Sequence, residues 1–467
     1  MKLRPYQQEV ARAVLDSVQY GRGLTFSVEI ARQGGKNELS AHLELLLLTL
    51  HMAQGGNLIK CSPTFKPQTI ISMHRLKQRL DEFGFNGIYH TETGYIIALG
   101  NARQIFLSAE PSSSVVGHTA DILLEIDESQ DVSKEKYSKE FRPMGSSTNV
   151  TTLHYGTTWD DSTLLEEIKQ MNLDQERKDD IKRHFRYDWQ EVARYNPEYG
   201  KFVEAEKSRL GENHPLFRTQ YALLPIEGRG GFLSRQQIAV MLGTHPRLKQ
   251  PTDSNAVYIA GIDLAGESQD SSPDPQSTTP KTIDCRLPTR SHDSTVITIA
   301  ELGTTPVWQN RREAGVGLPL LKVVEQYQWT GIPHSQLYSQ MVAVLRKWHC
   351  YRIVVDATGI GQPVASFLRK ELGSKVRPFT FTQKSKSYMG FELLSFINSG
   401  RLKLYQQDGS PEYQQTVFQL ETARANYRPN QLMSFYVEPH EGHDDFLMSL
   451  GLLVIGAEEF KPRQARG

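Results

Sequence analysis

Residues 26–38 read FSVEIARQGGKNE, and this stretch decides the architecture of the N-terminal half. An apolar run of strand type leads into a glycine-containing loop with a lysine, and a helix-forming segment follows. This order is typical of a loop that binds phosphate groups. The usual pattern is G-x-x-x-x-G-K-[ST], but here Ala31 replaces the first glycine and Asn37 replaces the final hydroxyl residue. The loop alone is therefore a weak signal.

A second stretch, DILLEIDE at 121–128, strengthens this interpretation. It predicts an apolar strand that ends in two carboxylates, Asp127 and Glu128. In a P-loop NTPase, one carboxylate at this position holds Mg²⁺ and the next polarises the attacking water. A solvated strand end is the alternative for the pair, and the preceding loop makes that alternative less favoured.

The loop also suggests how phosphates would be bound. Lys36 is expected to contact the β- and γ-phosphates, together with the amides of residues 32–36 and the following helix N-terminus. Arg32 would add a second cation, and Asn37 would coordinate Mg²⁺ directly or through water. Gln7 or Gln8 is a candidate adenine contact, although a surface glutamine is an equally good interpretation.

Length and composition limit the remaining choices. A chain of 467 residues exceeds one hydrophobic core and predicts two domains, with room for a small third. The net charge is zero, so contact with nucleic acid must come from local basic patches. Cys61, Cys285 and Cys350 lack metal-ligand spacing, and so sparse a set suits a reducing cytoplasm.

Targeting segments are not expected. The start, MKLRPYQQEV, lacks the apolar region of a secretory signal. The longest apolar run, residues 43–50, includes Glu44 and predicts a buried helix rather than a membrane span.

Apolar strands alternate with helices through much of the chain, which predicts an α/β fold with a mostly parallel, doubly covered sheet. The region 163–224 is charged and helical. A solvated helix face is favoured there over a lid or a DNA-facing surface. The sequence EGRGG at 227–231 predicts a flexible break. We therefore expect an ATPase core at 1–165, a helical lid or linker at 166–250 and a second domain at 251–467.

The second domain has its own acidic residues. The predicted strands 256–262 and 352–356 lead to Asp263 and Asp356, where an unpaired charge is costly. A predicted helix begins beside His443-Asp444-Asp445. Carboxylates at neighbouring strand ends and a helix start can converge on two divalent cations. Ordinary acidic caps are the alternative, and His443 is either a contact to metal-bound water or a plain helix-start residue.

One segment of the second domain lacks apolar periodicity. Residues 266–292 are rich in Ser, Pro, Asp and Thr. This composition predicts a long, mobile insertion loop.

As a set, these motifs resemble the large terminase subunit of tailed bacteriophages across nearly the whole chain. Their order and spacing are far more specific than any single motif. The matching segments are RPYQ at 4–7, ARQGGKNE at 31–38, LLEIDE at 123–128, YGTTWD at 155–160, GIDLAG at 261–266, VVDATGIG at 354–361 and GHDD at 442–445.

The resemblance implies an N-terminal P-loop ATPase of the ASCE type and a C-terminal RNase H-like nuclease. The first would use ATP and Mg²⁺ to drive DNA into a procapsid, and the second would cut concatemeric DNA with Mg²⁺ or Mn²⁺. The implied nucleotide-site residues are Gln7, Arg32, Gly35, Lys36, Asn37, Asp127, the catalytic Glu128 and Thr157 of the coupling motif Gly156-Thr157-Thr158. The implied nuclease metal ligands are Asp263, Asp356 and Asp444 or Asp445.

The resemblance also implies partners. These are double-stranded DNA, a portal protein on the procapsid and a small terminase subunit, in the cytoplasm of the host of a phage or prophage. The chain would form a homo-oligomeric ring during packaging, and a monomer in solution is compatible with that. The resemblance implies no membrane partner.

One family feature has no counterpart. Some members carry a trans-acting arginine before the acidic strand, whereas VVGHTAD at 115–121 contains His118 and no arginine. The arginine finger is therefore unassigned, because neither Arg103 nor Arg142 lies in a matching motif.

Two other functions compete with this interpretation. A helicase–nuclease of DNA repair should carry further helicase motifs between 160 and 230, and the sequence has none. A non-catalytic P-loop scaffold with a lapsed nuclease is opposed by the retention of both acidic sets.

Overall fold

The computed structural model describes residues 2–113, 115, 117–227, 229–253, 255–265, 294–305, 317–332, 334–359, 361–428 and 430–458. The chain divides into two compact units. Unit 1 comprises Met1–Lys207, Pro215–Gly228 and Arg428–Gln431, and unit 2 comprises Ser208–His214, Arg229–Tyr427 and Leu432–Gly467. The predicted insertion loop at 266–292 lies outside the described residues. Within them, no helix has the length and apolar character needed to cross a membrane.

The first part of the chain alternates strands and helices, as its apolar runs predict. Its elements are α1 (Pro5–Gln19), β1 (Thr25–Ile30), α2 (Lys36–Leu50), β2 (Gly56–Ser62), α3 (Ile70–Glu82), β3 (His90–Glu92), β4 (Ile96–Leu99), β5 (Ala102–Ser108), β6 (Leu123–Ile126), α4 (Lys134–Lys136), β7 (Thr151–Gly156), α5 (Leu164–Asp179), β8 (His184–Tyr187), α6 (Trp189–Tyr195), α7 (Pro197–Leu210) and α8 (Pro215–Gln220).

The described strands of unit 1 form one sheet in the order β3-β4-β5-β2-β6-β7-β1-β8. All neighbours from β5 to β8 are parallel, and β3 and β4 form an antiparallel edge. The mostly parallel sheet is therefore confirmed. Because parallel strands share one carboxyl edge, the segments that follow β1, β6 and β7 emerge side by side there.

Burial explains why the strand sequences are apolar on both faces. Phe26, Val28 and Ile30 of β1 are buried, and so are Ser27 and Glu29 between them. A parallel strand covered on both faces has no solvent-facing positions. The polar residues of such a strand must then find partners inside the unit.

Strand β8 was not predicted from the sequence. It is the four-residue segment HFRY, and it pairs parallel to β1 with His184 opposite Ser27. Its charged surroundings predict only helix, which is correct for the flanking α5 and α6. Pairing with β1, rather than local propensity, determines its structure.

Unit 2 contains a second α/β arrangement. Its elements are β9 (Arg229–Gly231), α9 (Arg235–Met241), β10 (Val257–Asp263), β11 (Ser294–Thr304), β12 (Pro319–Thr330), α10 (His334–Lys347), β13 (Arg352–Asp356), α11 (Gly361–Leu372), β14 (Val376–Phe379), α12 (Gln383–Asn398), β15 (Leu402–Lys403), α13 (Pro411–Thr422), β16 (Arg424–Tyr427), β17 (Met433–Tyr436) and α14 (Asp445–Glu458).

The described strands of unit 2 form a mixed sheet, β14-β13-β10-β11-β12-β15, and a small antiparallel sheet, β17-β16-β9. Strand β10 is parallel to β13 and antiparallel to β11. Helix α14 packs on β10 with little clearance. A Cβ atom on Gly261 would lie 2.2 Å from the carbonyl oxygen of Ser449. Glycine at this position therefore lets the helix approach the strand.

Candidate functional site

The predicted phosphate-binding loop connects β1 to α2. Its backbone turns at Ala31, whose carbonyl accepts a hydrogen bond from the Gly34 amide at 2.8 Å. Gly35 has φ 95° and caps α2, a left-handed conformation that favours glycine. Ala31 is fully buried and needs no glycine conformation. The loop thus delivers Lys36 to the amino end of a 15-residue helix, where amide groups lack intrahelical partners.

Helix α1 supports this loop. The Tyr6 hydroxyl donates to the Gly34 carbonyl at 2.5 Å, and Gln7 Nε2 donates to the Gly35 carbonyl at 2.9 Å. Gln7 Oε1 accepts from the Arg4 amide at 2.8 Å. Both ends of the Gln7 amide therefore contact backbone. The structure gives Gln7 a loop-supporting contact, and its contact with adenine stays a prediction.

Lys36 and Glu128 form the central ion pair. Lys36 Nζ lies 2.8 Å from Glu128 Oε1, and the lysine side chain is 9% exposed. Burial opposes ionisation of Glu128, but the Lys36 ammonium and a hydrogen bond from Gln130 hold the pKa of Glu128 below its ordinary value. The glutamate is therefore ionised, as a group that polarises water must be.

Asp127 lies beside this pair at the end of β6. It is 4% exposed, and its Oδ1 accepts a hydrogen bond from the Glu128 amide at 3.0 Å. Burial raises the pKa of Asp127. A buried carboxylate in this position fits a divalent cation, because Mg²⁺ prefers oxygen ligands.

A cavity of about 230 Å³ opens between the loop and the acidic strand. Arg32 faces it, and Arg32 Nη1 donates to Gln220 Oε1 at 2.5 Å. Asn37 follows Lys36 in the first turn of α2. The predicted residues Arg32, Lys36, Glu128 and Thr157 share the lining with Gln33, Gln68, Gln130, Asp131, Gln220 and Gln431.

Six of these lining residues were not predicted from the sequence, and two of them, Gln130 and Asp131, follow the acidic strand β6. Gln130 Nε2 donates to Glu128 Oε2 at 2.7 Å, and Gln130 Oε1 accepts from the Thr157 amide at 3.2 Å. Burial, followed by the charge of Glu128, raises the pKa of Asp131 to about 6. Gln431, which belongs to unit 1, donates to Asp131 Oδ1 at 3.0 Å. Only their position two and three residues after Glu128 could have drawn attention to Gln130 and Asp131.

A buried charge cluster lies behind the loop helix and was also missed. Lys60 of β2, Glu44 of α2 and Glu125 of β6 are each at most 2% exposed. Lys60 Nζ lies 3.3 Å from Glu44 Oε1, and Ser40 Oγ lies 2.8 Å from Glu125 Oε1. Burial, reinforced by Glu44, raises the pKa of Glu125 well above its ordinary value. This cluster of buried charged groups joins α2 to the two strands.

The predicted coupling motif follows β7, which lies between β6 and β1. The Thr158 hydroxyl donates to Glu29 Oε1 at 2.7 Å. Glu29 is 1% exposed and lies two residues before Ala31, at the end of the strand that leads into the loop. The motif is thus attached to β1 through Thr158 and to the acidic turn through Thr157.

In unit 2, Asp263 and Asp356 end neighbouring parallel strands. Ile262 pairs with Val355, so the next residue of each strand reaches the same edge of the sheet. Both aspartates are 8% exposed. Asp356 Oδ1 accepts from the Thr358 amide at 2.8 Å, and burial raises the pKa of Asp356. The predicted juxtaposition of these two strand ends is confirmed.

The structure distinguishes between the two aspartates at the start of α14. Asp445 is 4% exposed, and its Oδ2 accepts from the Ser294 amide at 3.1 Å. Ser294 begins β11 beyond the end of β10, so Asp445 lies at the same edge as Asp263. Asp444 Oδ2 lies 3.7 Å from Lys386 Nζ, and its side chain is 29% exposed.

These carboxylates fit a divalent cation by donor type. Buried oxygen ligands suit Mg²⁺ and Mn²⁺. Within the described part of the chain, however, no three His, Cys, Asp or Glu side chains are close enough to form a ready-made metal cluster. The arrangement therefore supports the type of site without giving its coordination geometry.

Comparison with known proteins identifies the fold. Residues 287–449 match the family model described as the terminase RNaseH-like domain. The solved structure of the large terminase from a thermophilic bacteriophage aligns over 97% of this chain and 98% of that chain, with a TM-score of 0.54 and 10% identity. The same terminase in complex with ADP gives a TM-score of 0.52 at 11% identity, again with 97% of this chain and 98% of that chain covered.

A third structure of the same phage terminase, in complex with ATP-γ-S, gives a TM-score of 0.51 at 10% identity, with 98% of this chain and 100% of that chain covered. Among curated proteins, none matches the chain. Sequence identity this low carries information about the fold alone. The chain therefore has the fold of the large terminases, and its residues 287–449 match the model of the terminase RNaseH-like domain.

Proposed function

We propose that this chain is the large terminase subunit of a tailed bacteriophage, an ATPase that moves double-stranded DNA into a procapsid and a nuclease that cuts the concatemer. The observation that carries the proposal is the occurrence of two acidic sheet edges, one in each unit. One of them faces the Lys36 loop and the other ends with Asp263 and Asp356. The match of residues 287–449 to the terminase RNaseH-like family supports it.

In unit 1, Lys36 and Arg32 would bind the phosphates of ATP. The ionised Glu128 would accept a hydrogen bond from the attacking water, which orients that water toward the γ-phosphate. Mg²⁺ held by Asp127, with Asn37 nearby, would neutralise phosphate charge. Thr157 and Thr158 would sense loss of the γ-phosphate through their contacts to Gln130 and Glu29.

In unit 2, Asp263, Asp356 and Asp445 would hold the divalent cations, with Asp445 preferred to Asp444 because it is buried at the same edge. Bound Mg²⁺ or Mn²⁺ would supply charge for the attacking and leaving oxygens of a phosphodiester. Thr358 keeps the Asp356 carboxylate oriented through its amide. Lys386, near Asp444, adds a positive charge that would attract DNA phosphate.

The proposal extends to partners and organisation. DNA and a portal protein on the procapsid are the expected partners of a packaging motor. A small terminase subunit, a homo-oligomeric ring during packaging and the host cytoplasm are finer parts of the same proposal. Residues 166–250, apart from strand β8 of the central sheet, would act as a lid or linker for the ATPase core. A repair helicase–nuclease or a non-catalytic scaffold is less well supported, because the fold matched over the whole chain is that of large terminases.

The direct test uses the purified full-length chain. Supercoiled plasmid should be cut with Mg²⁺ and at least equally well with Mn²⁺, which demands less ideal ligand geometry, and EDTA should stop cleavage. The same preparation should hydrolyse ATP. Cleavage that persists in EDTA would overturn the metal-dependent nuclease. Absence of ATP hydrolysis with and without DNA would overturn the motor.

A further inference from the structure

We infer that Gln130 is a positioning residue for ATP hydrolysis, a role that rests on the proposed ATPase activity. Its side-chain amide contacts two functional groups at once. Nε2 donates to Glu128 Oε2 at 2.7 Å, and Oε1 accepts from the Thr157 amide at 3.2 Å. One uncharged side chain thus connects the carboxylate that orients water to the motif that senses phosphate loss.

The surrounding structure leaves space for this connection. Gln130 is 3% exposed. A Cβ atom on Gly156 would lie 2.1 Å from Gln130 Oε1 and 2.5 Å from Leu165 Cδ2. No side chain larger than hydrogen can therefore occupy position 156 while the Gln130 amide holds its place. Glycine at position 156 is therefore required for the Gln130 amide to keep its contacts.

The backbone of Glu128 explains why its side chain requires support. Its φ of 45° and ψ of 50° lie in the left-handed region, which residues other than glycine seldom adopt. Such conformations persist where surrounding contacts maintain them. The described side chains that hold the Glu128 carboxylate are Lys36 and Gln130.

Bound nucleotide would affect the Lys36 contact of Glu128 but not the Gln130 contact. Nucleotide phosphates compete for the Lys36 ammonium, because phosphate oxygens form strong charge-assisted hydrogen bonds. The Gln130 amide carries no charge and already spans Glu128 and Thr157. Gln130 is therefore the contact that keeps Glu128 oriented when Lys36 binds phosphate.

The test compares Gln130→Met with Gln130→Glu in the full-length chain. Methionine keeps a similar volume and removes the hydrogen bonds to Glu128 and Thr157, together with a longer one from Gln130 Nε2 to Asp131 Oδ2 at 3.4 Å. Glutamate keeps an acceptor for Thr157 but removes the donor and places a carboxylate beside Glu128. We expect kcat for ATP hydrolysis to fall about 10- to 100-fold in both variants. KM and the affinity for a fluorescent ATP analogue should stay within about threefold of the wild-type values.

The matched control is Gln78→Met. Gln78 is an exposed residue of α3 whose Nε2 donates to Glu82 at 3.2 Å, and it lies outside the proposed site. This variant should retain the wild-type kcat. The number of ATP-analogue molecules bound per chain gives the fraction of folded sites in each preparation.

The outcomes separate positioning from folding. A wild-type kcat in Gln130→Met would overturn the role of Gln130 and leave the proposed ATPase intact. A loss of kcat matched by an equal loss of binding stoichiometry would also overturn it, since the residue would then be structural. A wild-type chain that does not hydrolyse ATP would overturn the proposed ATPase and this inference together.

Discussion

The Thr158 hydroxyl donates a hydrogen bond to Glu29 Oε1 at 2.7 Å, and both residues are almost fully buried. This contact joins the end of β7 to the end of β1 before the phosphate-binding loop. It gives the predicted coupling motif a physical connection to the loop. Burial raises the pKa of Glu29, and the charge of Lys169 opposes this shift. Because Glu29 is buried away from water, the hydrogen bond from the Thr158 hydroxyl offsets part of the cost of burying its carboxyl group.

Thr158→Val should therefore destabilise the chain and slow ATP turnover. The substitution keeps the shape and leaves Glu29 with one hydrogen bond fewer, at a cost of about 1–3 kcal/mol. Thr157→Val is the comparison, because the described contact of Thr157 to Gln130 uses its backbone amide. Because Thr157 lines the cavity, loss of its hydroxyl should slow turnover, while the retained amide contact keeps stability near the wild-type value. Thermal melts and ATPase rates measure both effects, and equal melting temperatures for the two variants would contradict the role of Thr158.

Lys36→Ala should reduce ATP hydrolysis by about 100-fold or more, because it removes the cation that meets the transferring phosphate. It also removes the ion pair that lowers the pKa of Glu128. Steady-state ATPase assays give the size of the loss. Lys139→Ala, at an exposed ion pair with Glu135, is the control. Turnover close to wild type in Lys36→Ala would show that the loop is not the phosphate site.

Lys60→Met should lower the free energy of unfolding by more than a surface substitution does. Removing the ammonium leaves Glu44 and Glu125 buried without their cation, and breaking such a cluster costs about 3–5 kcal/mol. Adding Glu44→Gln should restore much of the loss, since it removes the acidic partner of Lys60. Denaturant midpoints compare the single and double variants. If Lys60→Met were as stable as wild type, the cluster would not contribute to stability as argued.

His154 should make unit 1 sensitive to acid. Complete burial lowers the pKa of His154 to about 3, with Nδ1 at 2.9 Å from Ser129 Oγ. Since the folded form binds fewer protons than the unfolded form, stability is lost as pH falls below the ordinary histidine pKa of about 6.5. The loss should reach about 2 kcal/mol at about pH 5.

The measurement for His154 is the difference in melting temperature between about pH 7.5 and about pH 5. His154→Gln should show a smaller difference than wild type, even if it is less stable at the higher pH. His74→Gln, at an exposed position of α3, should behave like wild type. An unchanged acid response in His154→Gln would rule out this residue as the cause.

Sequence patterns predicted much of this architecture because the decisive features are local. The apolar run before Ala31, the glycines of the loop and the acidic ends of β6, β10 and β13 are each visible in short segments. Parallel pairing then brings the strand ends together without further information. The start of α14 was predicted two residues early, at His443 rather than Asp445.

The rest depends on partners that are distant in sequence. Strand β8 becomes a strand by pairing with β1, and Lys60 is buried because Glu44 and Glu125 meet it inside the unit. Strand β12 and the β16–β17 hairpin were likewise not predicted. Gln130 follows Glu128 by two residues, but its contact with Thr157 depends on the order of β6 and β7. No local pattern contains these relationships.

The central claim is that one chain carries two separate catalytic sites. It is tested most directly by measuring ATP hydrolysis and Mn²⁺-dependent plasmid cleavage on the same preparations of Glu128→Gln and Asp356→Asn. Glu128→Gln should bind nucleotide and cut plasmid but lose ATP turnover by about 100-fold or more, because only the group that orients water is changed. Asp356→Asn should hydrolyse ATP normally and fail to cut plasmid. If either variant kept both activities, or a folded variant lost both, the assignment of two independent sites would be contradicted.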